Sequence, residues 1–420
     1  MFKFLHTADL HLDSPLLNLD NYDDAPREDF RSATRRAFDN IVDLAIAEDV
    51  KFMLIAGDLY DGDCSDFNTP LHFRARMDDL AAKNIRVYII NGNHDAASNM
   101  KKAFALTLPD NVYVFPTRKP ATQKIDELKI AIHGQGFAQR EVTEDLSKNY
   151  PKAVDGYINI GMLHTNCGSR AGHDPYAPST VDGLNSLGYD YWALGHIHKP
   201  WEIGPNPWII YPGNPQGRHI GETGPRGCII ATCDDNRIDR RKHEVDVMRW
   251  EKIAVSLEDC ADTDAVFAQL RKHITESVVA ADQRPLAARL ELTGVTSVHR
   301  ELTKRAAYWD QKIREMVLDH FNANVWIEKV RFKTKAKAER TIELDSAMGE
   351  LIGGLSSSSV AEFAQCELTA EFEKMLSTIP PDPRISAEDI DLEHQKAVST
   401  LLDEARELVV GRILDAGGDA

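Results

Sequence analysis

From the amino terminus to about residue 200, short β-branched or apolar runs alternate with stretches of helical periodicity, and this limits the fold more than any other feature. Phe2–His6, Phe52–Ala56, Val87–Asn91, Lys129–His133, Ile158–His164 and Tyr191–Leu194 read as strands, mostly too short for buried helices. Arg27–Glu48 carries Phe30, Ala33, Ala37, Ile41, Leu44 and Ile46 at near-helical spacing, and residues 68–83 give a second helix. Strand–helix–strand alternation predicts an α/β sheet with helices on its faces, in which ligands sit at the carboxyl ends of strands.

Five short segments concentrate Asp, Asn and His, and most directly follow those strands: Asp9-Leu10-His11, Gly57-Asp58-Leu59-Tyr60-Asp61, Gly92-Asn93-His94-Asp95, His164, and Gly195-His196-Ile197-His198. The alternation predicts that all five gather on one edge of the sheet. Asp and His are hard or borderline donors suited to divalent ions such as Mn²⁺, Fe²⁺ and Zn²⁺. Asp9, His11, Asp58, Asn93, His164, His196 and His198 are too many for one tetrahedral zinc, but enough for two ions sharing a carboxylate. Such a pair, about 3.5–4 Å apart, can activate water and clamp a phosphate for in-line attack. Read blandly, these are strand-end turns, where Asp and Asn are favoured anyway.

Composition narrows the class. The chain has 420 residues, enough for two or three domains, and its 43% hydrophobic content excludes a mainly disordered chain. A net charge of −17 argues against coating nucleic acid over the whole surface, though not against a local basic track. Six cysteines without a CxxC pair read as reduced thiols of a cytoplasmic protein. No apolar run is long enough to span a membrane, and the start turns polar too soon for a signal peptide.

Beyond residue 200, Pro205, Pro207, Pro212, Pro215 and Pro225 mark turns between short strands at Trp208–Tyr211 and Gly227–Thr232. A smaller unit follows, with strands near 252–257, 286–292 and 325–332 and helices near 264–278 and 300–318. From about 344, Val360, Phe363, Ala364, Leu368, Phe372, Met375, Leu376 and Ile379 follow helical spacing. Pro380-Pro381-Asp382-Pro383 breaks the chain before a last helix, near 386–414.

The ordered set DxH, GDxxD, GNHD, H and GHxH resembles the calcineurin-like, two-metal metallophosphoesterases over roughly residues 1–235. The His-Thr-Ala-Asp-Leu-His-Leu start, the Gly-Asp-Leu-Tyr-Asp block and Tyr211-Pro212-Gly213-Asn214-Pro215-Gln216-Gly217-Arg218 are similar to the SbcD-type DNA repair exonucleases, closest to their YhaO-like branch. Protein phosphatases of the superfamily follow GDxxD with Arg-Gly, whereas Gly62-Asp63 stands here. The resemblance implies a four-layer α/β/β/α core over 1–244, a smaller α/β capping domain over 245–343 and a helical, partner-docking tail over 344–420. It implies that Asp9, His11, Asp58 and His198 hold one ion, and that Asp58, Asn93, His164 and His196 hold the other. Manganese is the expected metal, with Fe²⁺, Zn²⁺ or Mg²⁺ as alternatives. His94 would assist the leaving oxygen, Asp95 would orient His94, and Asp61 would stand behind the ligands.

The implied activity is Mn²⁺-dependent hydrolysis of DNA phosphodiesters. A small-molecule phosphodiesterase, or a subunit regulating an SMC-like ATPase, are the alternatives. The implied partners are DNA and an SbcC- or YhaN-like coiled-coil ATPase docked on the tail, with room for a homodimer. Arg218 and His219 suit a substrate phosphate or a plain surface loop. Lys329, Arg331, Lys333, Lys335 and Lys337 alternate along one strand, as a ribbon for a phosphate backbone or as lysines protecting an edge. Trp192, Trp201, Trp208, Trp250, Trp309 and Trp326 read as core or interface, and Cys228 and Cys233 as buried strand thiols.

Overall fold

The computed structural model describes residues 1–14, 27–61, 68–97, 108–168, 176–234 and 237–337. The tail expected over 344–420, with its two apolar stripes, lies outside them. The described chain packs as two units: Met1–Ile253 with His273–Leu290 and Arg314–Lys329, and Ala254–Lys272 with Glu291–Ile313 and the strand from Val330 onward.

In the first unit, β1 (Phe2–Thr7), β2 (Phe52–Ala56), β3 (Arg86–Ile90) and β4 (Val112–Val114) run parallel, with α1 (Arg27–Ala47), α2 (Asn68–Ala82) and the short α3 (Asn93–Ala97) between them. β5 (Ala121–Ile125), β6 (Ile130–Gly134), β7 (Ile158–His164), α4 (Val181–Asn185), β8 (Tyr191–Gly195), β9 (Trp201–Ile203) and β10 (Trp208–Tyr211) follow. β11 (Gly227–Asp234) and β12 (Arg237–Glu244) return antiparallel beside β1. The strands form two six-stranded sheets, ordered β12-β11-β1-β2-β3-β4 and β5-β6-β7-β8-β10-β9. The sequence expectation of a single sheet edge is therefore corrected: the site segments come from two sheets.

Strand periodicity explains how the sheets pack. Leu5, Met53, Ile55, Val87 and Ile89 face α1 and α2, meeting Phe38, Ile41, Phe73 and Met77. Their neighbours Phe4, Phe52, Leu54, Tyr88 and Ile90 face the second sheet, against Ile130, Ile132, Ile160, Tyr191 and Ile210. With both faces covered, these strands are apolar throughout, as parallel strands must be. Trp192, Leu194 and Tyr211 on the far face of the second sheet meet Leu184 of α4 and Leu146 of a 3-10 turn, without a long helix among the described residues.

The chain continues through β13 (Arg249–Ser256), α5 (Thr263–Ala280), β14 (Leu286–Thr296), α6 (His299–Lys304), α7 (Ala306–Phe321) and β15 (Val325–Ala336), with the strands ordered β13-β14-β15. Among the first unit's residues, Arg289 and Glu328 make a buried two-pronged ion pair at 2.7 and 2.8 Å. The second unit includes Phe267 against Trp309. Cys228, Cys233, Trp192, Trp250, Trp309 and Trp326 are buried, as the sequence predicts. No helix among the described residues is long and apolar enough to cross a membrane.

Candidate metal centre

The parallel strands deliver their carboxyl ends to one place. Loops after β1, β2 and β3 carry Asp9, His11, Asp58 and Asn93, while β7 ends on His164 and β8 leads into His196 and His198. The loops are laced by backbone: Asp9 N–H bonds Gly57 O, His11 N–H bonds Asp58 O, and Thr165 N–H bonds Gly195 O, at 3.0–3.1 Å. Asp9 (φ 53°), His11 (43°) and Asp58 (51°) adopt left-handed backbone. Asp and His tolerate that region at a cost near 1 kcal/mol each, and such strain gathers at functional sites. Two glycines make room. A methyl on Gly57, itself at φ 93°, would overlap the His164 ring, and one on Gly92 would overlap Asp58 Oδ1.

The donor atoms are arranged around something that is not protein. Asp9, His11 and His198 form one group whose ligand atoms lie within 4.8 Å of one another, and Asp9, Asp58 and His164 form a second. His164 donates Nδ1–H to the Ala56 carbonyl at 3.0 Å, which leaves Nε2 to face the site, and although burial alone would lower the ring, Asp58 and Asp9 raise it to about 9. Nε2 lies 2.9 Å from Asn93 Oδ1 and 3.4 Å from Asp58 Oδ2. His198 Nδ1 meets the Glu222 carboxylate at 2.6 Å, which turns its Nε2 lone pair to His11 Nε2 at 3.1 Å. Ring nitrogens and carboxylates gathered this closely in a buried pocket need protons or cations among them. His11, fully buried, also leaves Nδ1 without a hydrogen bond. Asp58 belongs in the middle: burial alone would raise its carboxyl, but His164, His11 and His94 hold it well below the usual range. The residues present fit a pair of divalent ions.

His196 stands outside these tight groups among the described residues. Its backbone N–H bonds both oxygens of Asp9, at 2.9 and 3.1 Å, and its ring lies against His164 with centroids 5.2 Å apart. A third group joins His94 to His11 and Asp58.

The orienting role expected of Asp95 falls to Asp61. Asp61 Oδ1 holds His94 Nδ1 at 2.7 Å, while its Oδ2 accepts from Arg218 Nη1 at 3.0 Å and Ser14 Oγ at 2.5 Å. Asp95 accepts instead from the backbone N–H groups of Gly92 (2.9 Å), Leu59 (3.2 Å) and Tyr60 (3.1 Å). That is the acidic arm of a capping box at the start of α3, stapling two metal-site loops together. Burial alone would lower the His94 ring, but the Asp61 bond and the charges of Asp58 and Asp61 raise it.

Arg218 is in the site. Besides Asp61, its Nη2 lies 3.4 Å from His198 Nδ1, and its Nε is buried without a hydrogen bond. His219 is more exposed and accepts a bond from Gly221 N–H. On β15, Lys329, Lys333 and Lys335 are exposed and Arg331 half-buried, with Val330 and Thr334 buried on the other face, so the expected alternation is present. Lys337 is exposed too. Glu291 pairs with Lys333 at 2.9 Å and Arg331 at 3.7 Å, neutralising the ribbon's middle. Sequence reasoning passed over Glu222, although it lies four residues after Arg218 in the same turn-rich stretch.

Comparison with known proteins identifies the family. The calcineurin-like phosphoesterase family matches residues 2–200, which hold all the metal-site loops, and the middle domain of the metallophosphoesterase YhaO matches residues 250–335. The chain is 34% identical to YhaO of Bacillus subtilis, described as an uncharacterized metallophosphoesterase, over 69% of this chain and 71% of that one. It is 23% identical to the DNA double-strand break repair protein Mre11 of Thermoplasma acidophilum, over 70% of this chain and 77% of the relative. A solved dimetal phosphatase from Danio rerio covers 58% of this chain and 96% of its own at 12% identity, with a TM-score of 0.37. Carrying both the phosphoesterase motifs and the YhaO middle domain, the chain belongs to the calcineurin-like metallophosphoesterases.

Proposed function

We propose that the chain is a two-metal phosphodiesterase that cuts DNA, as an exonuclease in repair or end processing. The observation that carries the chemistry is the convergence of Asp9, His11, Asp58, Asn93, His164 and His198 on two adjoining donor groups. A pair of divalent ions at these donors, with Mn²⁺ the expected metal, supplies Lewis acidity and an activated water. The chain's own residues do the rest. Asp58, in one donor group with Asp9 and His164 and in another with His11 and His94, would hold both ions. His94, protonated and steered by Asp61, gives a proton to the departing sugar oxygen. Arg218, braced by Asp61, stands at the same edge to receive a phosphate oxygen. Two features support DNA as substrate: the likeness to the Mre11 repair protein, and the exposed Lys329 and Lys335 on an edge strand. By the same likeness a coiled-coil ATPase of the SbcC or YhaN kind is the expected partner.

The neutralised centre of that ribbon favours a second reading, a phosphodiesterase for nucleotides or other small diesters. The purified chain with Mn²⁺, given linear DNA and separately a chromogenic phosphodiester, separates the two. The proposal predicts that DNA is degraded and that the rate falls steeply with salt. Turnover of the small diester alone would sink the DNA assignment while keeping the metal site.

A further inference from the structure

The segment between β10 and β11, residues 212–226, is a loop built like a core. Trp250 Nε1 bonds Gly217 O at 3.0 Å, Gln216 bonds Met248 O and Val247 N–H at 3.0 Å each, and Ile220 packs with Trp250 and Trp326. At its centre Glu222 is 5% exposed. Its Oε1 takes His198 Nδ1 at 2.6 Å, and its Oε2 accepts from Asn214 Nδ2 and from the Arg218 backbone N–H, both at 2.8 Å. Arg226 closes the arrangement on Asn214 Oδ1 at 2.8 Å and the His198 carbonyl at 2.6 Å. Burying a carboxylate costs several kcal/mol unless it is fully bonded, and here every near neighbour is a donor.

We propose that Glu222 is a positioning residue of the metal centre, fixing the His198 ring through Nδ1 and seating Arg218 through its main chain. By accepting Nδ1–H it selects the tautomer whose Nε2 lone pair faces Asp9 and His11, and raises the basicity of that nitrogen. His164 hydrogen-bonds the neutral Ala56 carbonyl in the equivalent place, with the Asp9 carboxylate farther off at 3.9 Å. The two metal positions are therefore unequal, and the one served by His198 depends on a buried charge. Glu222 also begins a continuous path through Arg218 and Asp61 to His94, so one side chain registers the proton donor against a metal ligand.

This rests on the two-metal reading above, and not on DNA as substrate. The test is Mn²⁺ titration of the full chain, followed calorimetrically and by electron paramagnetic resonance, for wild type and Glu222→Gln. The expected result is two ions in wild type, with one of them weakened about 10–100-fold in the variant and the other unchanged. Thermal melting in chelator controls for folding. Should the variant not fold, the Zn²⁺-loaded wild type decides by proton NMR with labelled histidine: a far-downfield imidazole N–H is expected, the mark of a carboxylate-bonded Nδ1. Equal affinities in variant and wild type, or no such N–H, would overturn the role of Glu222 alone. A wild type that never takes two ions would overturn the metal reading with it.

Discussion

His94 Nδ1 and Asp61 Oδ1 lie 2.7 Å apart, and this pair, not the adjacent Asp95, orients the ring proposed as the proton donor. Positioned acid catalysis is worth about 10²–10⁴-fold, so His94→Gln should lower kcat on a small phosphodiester by that factor. The metal count should not change. Asp61→Asn should lower kcat by a smaller factor, because Arg218 and Ser14 still hold the side chain. Asp95→Asn should instead lower the melting temperature, since it weakens the staple between two loops. Steady-state kinetics beside thermal melts separates the three. An Asp95 variant that loses kcat at unchanged stability would restore the expectation drawn from the sequence.

Gly92→Ala places a methyl group against Asp58 Oδ1. The same methyl would meet the Asp58 backbone nitrogen, so the loop itself must shift, and the variant should bind neither ion tightly and melt at a lower temperature in chelator. Atomic absorption after gel filtration reads the outcome.

The convergence of the loops carrying the candidate ligands was legible because each stands at or just beyond a short apolar run, and strand ends of a parallel sheet face one way, although His196 stands outside the tight donor groups. What periodicity could not say is how strands divide between sheets, since β7 and β8 look the same from sequence whichever sheet they join. Asp95 was misread because adjacency in sequence is not adjacency in space: α3 begins at Asn93, and successive helical side chains diverge by about 100°. β12, Arg-Ile-Asp-Arg-Arg-Lys-His-Glu, escaped notice because an edge strand buries little, and Ile238 is its one buried residue. Glu222 escaped because it serves the site from a loop that follows no motif.

His6 gives a stability test away from the ligands. Its ring is buried beneath the site with Nδ1 on Tyr191 Oη at 3.0 Å. Burial pushes its pKa from 6.5 down to about 3, the Leu194 carbonyl offsetting only part. The unfolded chain therefore binds a proton that the folded chain refuses, and stability is complete above the unfolded value. It is lost as pH falls toward the folded one, at about 1.4 kcal/mol per pH unit. Chemical denaturation in chelator between about pH 6 and about pH 4 should show a shallower decline for His6→Gln. Equal slopes would mean that His6 is protonated in the fold.

The buried pair Arg289–Glu328 should behave as a unit. Arg289→Met alone leaves an unpaired carboxylate and should cost about 3–5 kcal/mol, whereas adding Glu328→Leu should recover much of that. Urea titration of the singles and the double closes the cycle.

On the basic ribbon, Lys329 and Lys335 are exposed, while Glu291 engages Arg331 and Lys333. If DNA runs along β15, Lys329→Ala and Lys335→Ala should each lower the salt slope of binding by about 0.9. Lys333→Ala should change it less.

The most direct test of the account is a count of bound Mn²⁺ in wild type and Asp58→Ala, with phosphodiester hydrolysis measured on the same samples. If Asp58 serves both ions as proposed, wild type should hold two ions and turn over, and the variant should lose both ions and turnover. A variant that keeps two ions, or hydrolyses at the wild-type rate, would contradict it.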